Sequence, residues 1–182
     1  MSGLDFLKAT LKDYKVGAIT VSSKYVVKKL IEQLFLSDPK YIVEYGAGDG
    51  VVTKEILKNL PADGKLIAFE INENFIHELR RIKDDRLVIS TDDVIAASGD
   101  LKRAGLPRID AVISGIPFTL ISPKDRVRLI ANTCSALGKE GVFLVYQYSP
   151  LIFPILKKYF RSIDISFEPR NFLPYFIMRA EK

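Results

Sequence analysis

Tyr41-Ile42-Val43-Glu44-Tyr45-Gly46-Ala47-Gly48-Asp49-Gly50 reads as a short apolar strand with one acid, running directly into three alternate glycines. Glycine is required where a backbone turns sharply and must approach a ligand closely. A dinucleotide fingerprint would space the glycines Gly-x-Gly-x-x-Gly; here Gly50 comes one residue early and is followed by Val51. Glu44, two residues before Gly46, is an acid that can face a positively charged ligand group through the loop.

Outward from this turn the chain alternates between strand-like and helix-like segments. Val52, Ile56, Leu57 and Leu60 recur at helical spacing and Pro61 closes that helix. A second strand is expected over Leu66 to Ile71, with Asn72 capping a helix that carries Phe75, Ile76, Leu79 and Ile82. Leu87-Val88-Ile89 is the third strand, before a short helix near Val94 to Ala97, and Ile109 to Ile113 is the fourth. Ser122-Pro123 opens a helix that Gly138 is expected to cap. Val142 to Tyr146 is the fifth strand, Pro154 is expected to kink or interrupt the helix after Ser149-Pro150, and Ile163 to Phe167 with Tyr175 to Arg179 form a terminal hairpin. Strands this apolar between amphipathic helices indicate an α/β domain. Its sheet has seven strands, is mostly parallel and is covered by helices on both faces. Ligands in such sheets bind beyond the carboxyl ends of the strands, near the switch in strand order.

Unusual residues gather at those ends. Glu70 closes the second strand, where an acid can hold both ribose hydroxyls of a nucleoside. Asp92-Asp93 follows the third strand, where a carboxylate can accept from an adenine amino group; two adjacent acids also make an ordinary helix cap. Glu44, Gly46, Gly48, Gly50, Glu70 and Asp93 together resemble, in order and spacing, the successive motifs of class I S-adenosylmethionine (SAM)-dependent methyltransferases. The resemblance covers residues 40 to 150 and implies a Rossmann-like fold with SAM as cofactor. It implies that the glycine loop, with Ala47, packs on the methionine part of SAM. Glu70 and Ile71 hold the ribose, and Asp92, Asp93 and Ser114 complete the pocket.

The segment after the fourth strand faces the methyl acceptor in this family. Ribosomal RNA adenine dimethyltransferases carry Asn or Asp, two residues, then an aromatic. Aligned on Pro117-Phe118, this chain has Gly115 where that polar residue would stand, though Phe118 can still stack on a base. Ser114-Gly115-Ile116-Pro117-Phe118 looks more like the same segment of bacterial phospholipid N-methyltransferases. Tyr146-Gln147-Tyr148-Ser149-Pro150 and the stretch from Phe6-Leu7 through Val16-Gly17-Ala18-Ile19 to Ser22-Ser23 agree with that family, with Val21 where proline is more usual. The resemblance implies an aminophospholipid substrate, phosphatidylethanolamine or a relative, with Tyr146, Tyr148 and Phe118 positioning it. RNA adenine is the alternative acceptor, and a non-catalytic SAM-binding module is a third reading.

The remaining features are compatible with a lipid acceptor. Leu4, Leu7, Leu11 and Tyr14 share one side of a short helix with Lys8, Lys12 and Lys15 elsewhere on it, suiting either packing on the domain or an anionic membrane surface. Residues 1–36 are expected to be N-terminal helices packed on a methyltransferase unit at 37–182, one domain overall, with Val26, Val27, Leu30, Ile31, Leu34 and Phe35 in the core. The net charge of +5 favours anionic partners or serves solubility. No apolar run approaches the roughly 20 residues that span a bilayer, and the start lacks a signal-peptide layout, so the chain is expected in the cytoplasm, at most peripheral to the inner membrane face. One histidine, His77, excludes a multi-histidine metal site, and no metal is expected; Cys134 is expected in the core. Arg170 and Arg179 are surface charges that can also meet a lipid phosphate.

Overall fold

A computed structural model of the chain describes residues 22–103, 105–171 and 173–182. The amphipathic stretch at Leu4 to Tyr14, and Val21, lie outside the described residues. The elements are α1 (Lys24–Leu34), β1 (Tyr41–Tyr45), α2 (Val51–Asn59), β2 (Lys65–Phe69), α3 (Glu73–Leu79), β3 (Leu87–Ser90) and α4 (Val94–Ala97). They continue with β4 (Ala111–Ser114), α5 (Pro123–Ala136), β5 (Val142–Gln147), α6 (Phe153–Tyr159), β6 (Ser162–Glu168) and β7 (Tyr175–Glu181).

The seven strands form one sheet in the order β3-β2-β1-β4-β5-β7-β6. β1 to β5 pair in parallel, and β7 lies antiparallel between β5 and β6. Strand order reverses between β1 and β4, so a crevice opens beyond their carboxyl ends. Alternation along the strands divides the core. Val43, Tyr45, Val112, Phe143 and Val145 pack with α4, α5 and α6 on one face. Ile42, Leu66, Ile113 and Leu144 meet Val26, Val27, Leu30 and Leu34 of α1 and Val52, Ile56 and Leu57 of α2 on the other. The expected burial of the α1 stripe is borne out, with Ile31 and Phe35 partly buried beside it.

Several local expectations need correction. β2 stops at Phe69, because Glu70 turns its carboxylate back onto the following backbone. β4 begins at Ala111, where pairing with β1 begins at Ile42. Pro154 does not kink a helix: it stands in the first turn of α6, where the missing N–H has no intrahelical partner to lose. Gly138 does not cap α5 in a left-handed conformation. Leu137 ends the helix in an extended conformation, and Gly138 donates to the Ile109 carbonyl at 2.8 Å. Cys134 is only partly buried at the edge of the core, and its thiol donates to the Tyr159 carbonyl at 3.1 Å. His77 is exposed on α3.

Candidate functional site

The glycine turn is fixed by backbone chemistry. Gly46, Gly48 and Gly50 have φ of 73°, 57° and 78°, a region that side-chain-bearing residues avoid. Gly46 and Ala47 donate to the Phe69 carbonyl at 2.9 and 3.1 Å, tying the loop to the end of β2. A Cβ on Gly46 would stand 2.8 Å from Ile116, whereas one on Gly48 would meet nothing within 4 Å. Gly46 therefore permits close packing of loop on loop, and Gly48 faces open space. Gly50 packs instead against Leu79 and Ile82 and opens α2.

Two adjoining clefts meet at this turn. The first is walled by Gly46, Gly48, Phe69, Glu70, Ile71, Phe75, Asp92, Asp93, Val94, Ile95, Gly115, Ile116 and Pro117. The second is walled by Ser22, Gly46, Ala47, Gly48, Asp49, Val51, Val52, Phe75, Gly115, Tyr146 and Tyr175. Gly46, Gly48, Phe75 and Gly115 are common to both and form the junction.

Glu70 is 7% exposed. Its Oε2 accepts from Gly48 N at 2.8 Å, and its Oε1 accepts from the N–H groups of Ile71 and Asn72, each at 2.9 Å. Burial pushes its pKa up, while these three donors pull the other way. Asp93 caps α4, with Oδ1 accepting from Ile95 N at 2.9 Å; its Oδ2 is buried without a hydrogen-bond partner. Burying such an acceptor is costly unless something donates to it, so the cleft offers an unused acceptor beside apolar walls. Asp92 also lines this cleft and accepts from Ser90 Oγ at 3.0 Å.

Glu44, Phe118 and Ser114, like Gly50, stand away from the positions expected of them. Glu44 lines neither cleft. It is fully buried beneath α2, with Oε2 accepting from Thr53 Oγ1 at 2.7 Å and Oε1 without a partner. Burial pushes its pKa up to about 8; the Thr53 bond opposes this, while Glu70 and Asp49 add to it. Phe118, expected to position the acceptor, is wholly buried in the core on the α5 face, because a short 3-10 turn at Phe118–Leu120 folds it under the sheet edge. Ser114 is buried on the same face as Tyr45 and Val145, with Oγ unpartnered, and lines neither cleft.

Tyr146 is 7% exposed and lines the second cleft, where its ring lies 5.9 Å from that of Tyr175 at 54°. Tyr148, expected to position the acceptor, lines neither cleft: it is 43% exposed, with its hydroxyl bonded to Thr119 Oγ1. Arg170 pairs with Glu168 and stacks on Tyr25, while Arg179 is buried and bonds Gln33 and Glu181. Both arginines are therefore occupied within the fold.

Phe75, Asp49, Ser22 and Tyr175 also line the site without having been expected there. Phe75 is hidden in sequence within an ordinary helical apolar stripe. Tyr175 enters only because β7 inserts beside β5, a pairing that spacing along the chain does not encode. Among the described residues no helix is long and apolar enough to cross a membrane. None of their His, Cys, Asp and Glu side chains cluster in groups of three suited to a metal.

No protein-family model matches the chain. An ornithine lipid N-methyltransferase of Singulisphaera acidiphila is 26% identical over 163 residues, 87% of this chain and 84% of that protein. The ribosomal RNA small subunit methyltransferase A of Thermotoga petrophila is 28% identical over 126 residues, 68% of this chain. The chain spans about half the length of that second relative, 45% of it. Among solved structures, the N-methyltransferase NodS from Bradyrhizobium japonicum in complex with S-adenosyl-L-homocysteine superposes with a TM-score of 0.74. That match covers 100% of this chain and 99% of NodS at 10% identity. A precorrin-6y C5,15-methyltransferase from Geobacter metallireducens gives 0.70 at 17% identity, over 90% of this chain and 92% of that one. By strand order, glycine turn and these relatives, the chain has the class I SAM-dependent methyltransferase fold, with homologues that include an ornithine lipid N-methyltransferase and ribosomal RNA small subunit methyltransferases.

Proposed function

We propose that this chain is a SAM-dependent N-methyltransferase acting on the amine of an aminolipid, phosphatidylethanolamine or a relative such as an ornithine lipid. The observation that carries the cofactor reading is the first cleft: a glycine turn, the Glu70 carboxylate and an unpartnered Asp93 oxygen converge on apolar walls. A nucleoside suits that arrangement. Glu70 and the Ile71 backbone are the candidates for the ribose, Asp93 for the adenine amino group, and Phe75, Ile95 and Ile116 for the base faces. The glycine turn and the second cleft are left for the methionine portion.

SAM, when bound, supplies a methyl group already activated by its sulfonium. The protein's task is then to orient an amine lone pair in line with it and exclude competing water, and positioning alone can supply much of the rate. Tyr146 and Tyr175 stand in the second cleft, so Tyr146 is the candidate to guide the amine and to meet its growing positive charge through its ring face. The acceptor amine has an ordinary pKa near that of lysine, about 10.4, so a drier cleft also helps it lose its proton.

Support for a lipid over an RNA acceptor comes from the relative covered over 84% of its length and from the bare Gly115 at the junction of the clefts. Methyl-labelled SAM, incubated with the protein and either aminolipid vesicles or RNA, separates the two. Label in the lipid amine is the expected result; label in RNA alone overturns it. Association with an anionic membrane face belongs to the same proposal, and flotation of the active protein with vesicles tests it.

A further inference from the structure

Extending the strand register by one residue past Tyr45↔Ser114 and Ser114↔Val145 sets Gly46, Gly115 and Tyr146 side by side at the carboxyl edge of the sheet. Gly115 and Tyr146 face the α1 and α2 side. Gly115 contributes no side chain, and its place is taken: a Cβ built there would collide with the Tyr146 hydroxyl and lie 2.6 Å from Cζ. The phenol of β5 therefore lies across the backbone of β4, and Gly115 itself forms part of both clefts. The polar side-chain atom nearest to residue 115 among the described residues is delivered from the neighbouring strand. Ser22 lines the same cleft as this phenol, and Tyr175 packs against its ring. Burial pushes the phenol's pKa well up, with Glu44 and Tyr175 adding to it, so the hydroxyl keeps its proton. A neutral phenol keeps oxygen lone pairs for an incoming N–H.

Resting on the aminolipid reading, we propose that Tyr146, seated over Gly115, selects and orients the acceptor: its oxygen accepts an N–H of a tetrahedral alkylamine, and its ring with that of Tyr175 holds the ammonium as methyl groups accumulate. In each transfer the amine lone pair forms the new N–C bond. The S–CH3 bond breaks with its electron pair going to sulfur, leaving the thioether; a primary or secondary amine then loses an N–H proton to solvent, whereas a tertiary amine becomes a quaternary ammonium with no proton lost. A primary or secondary amine has an N–H to spare for Tyr146. A tertiary amine has none and relies on the rings alone.

The test uses the full chain with vesicles carrying phosphatidylethanolamine in one set and an ornithine-headed lipid in another. It then uses the N,N-dimethyl form of whichever lipid is accepted. The variants are Tyr146→Phe, which keeps the ring, and Tyr146→Leu, which removes it. Binding of S-adenosylhomocysteine to each variant checks that the cofactor cleft is intact. In Tyr146→Phe, kcat on the primary amine is expected to fall at least tenfold, and by at least fivefold more than on the dimethyl acceptor; Tyr146→Leu is expected to lose both. Equal losses on the two acceptors in Tyr146→Phe, no loss on either, or a wild type inert toward the dimethyl lipid would overturn the assignment of Tyr146 while leaving the aminolipid reading intact. A wild type that methylates neither primary-amine lipid refutes that reading, and this proposal with it.

Discussion

Glu70 Oε2 accepts a hydrogen bond from Gly48 N at 2.8 Å, so the acid at the end of β2 and the centre of the glycine turn hold each other. Two further backbone donors, from Ile71 and Asn72, converge on the other carboxylate oxygen. One side chain thus fixes both the loop and the entry to α3 while standing on the wall of the first cleft. The residue proposed to grip the ribose is also the one that shapes the turn.

Replacing Glu70 with Ala is expected to weaken SAM binding by at least tenfold and to lower thermal stability, since one buried and two part-buried N–H groups lose their acceptor, at roughly 1 kcal/mol or more each where water does not replace it. Glu70→Gln retains one carbonyl acceptor and is expected to fall between. Calorimetric titration and melting curves on both variants check this. Unchanged affinity in Glu70→Ala contradicts the ribose role.

Asp93 separates capping from ligand binding. Asp93→Asn keeps an oxygen for the Ile95 N–H, so α4 remains capped and stability is expected to change by less than about 1 kcal/mol. The second carboxylate oxygen, buried and unpartnered, becomes an amide donor. An acceptor for the adenine amino group is thereby lost, and SAM affinity is expected to drop about tenfold, the equivalent of 1.4 kcal/mol. Equal affinities for wild type and Asp93→Asn would remove Asp93 from the adenine site.

Gly46→Ala probes the close approach of the loop to β4. At φ 73°, with Ile116 Cγ2 only 2.8 Å from the added methyl, the substitution is strained in both backbone and packing. A loss of about 1–3 kcal/mol in stability is expected, together with weaker SAM binding. Gly48→Ala has open space around its Cβ and strain from φ alone, so its stability loss is expected to be the smaller one. Denaturant unfolding of the pair gives the comparison, and a reversed order would be inconsistent with this loop geometry.

Glu44 gives the fold a pH signature. Its pKa is pushed from 4.5 to about 8, mainly by burial, so the native state holds a proton that the unfolded chain releases between those values. Stability contributed by this group is therefore greatest below about pH 4.5 and declines as pH rises toward 8, by about 5 kcal/mol at most from the size of the shift. Glu44→Gln removes the titration. Its advantage in melting temperature over wild type is expected to grow from pH 5 to pH 8, and a pH-independent difference would argue that Glu44 is ionised in the native state.

Much of this was legible in the chain itself, for identifiable reasons. Apolar strands separated by amphipathic helices report a covered parallel sheet because burial on both faces leaves no polar alternation to see. The turn at Gly46 to Gly50 was legible because positive φ restricts the residue type. Glu70 and Asp93 stood out because acids at apolar strand ends need donors. Less accessible was whatever depended on pairing. Tyr146 over Gly115 requires the register of β4 against β5, and Tyr175 requires β7 inserted beside β5. Phe118 looked available in sequence, but a single 3-10 turn decides which side of the sheet edge it occupies. Glu44 reads as a loop-facing acid until strand alternation puts its side chain beneath α2, bonded to Thr53.

Every role proposed for these residues requires the first cleft to be a nucleoside site. Isothermal titration of the folded full chain with SAM measures this directly: saturable binding at one site per chain is predicted, weakened at least tenfold by Glu70→Ala. A folded protein that takes up no SAM, at any concentration up to the millimolar range, would contradict it.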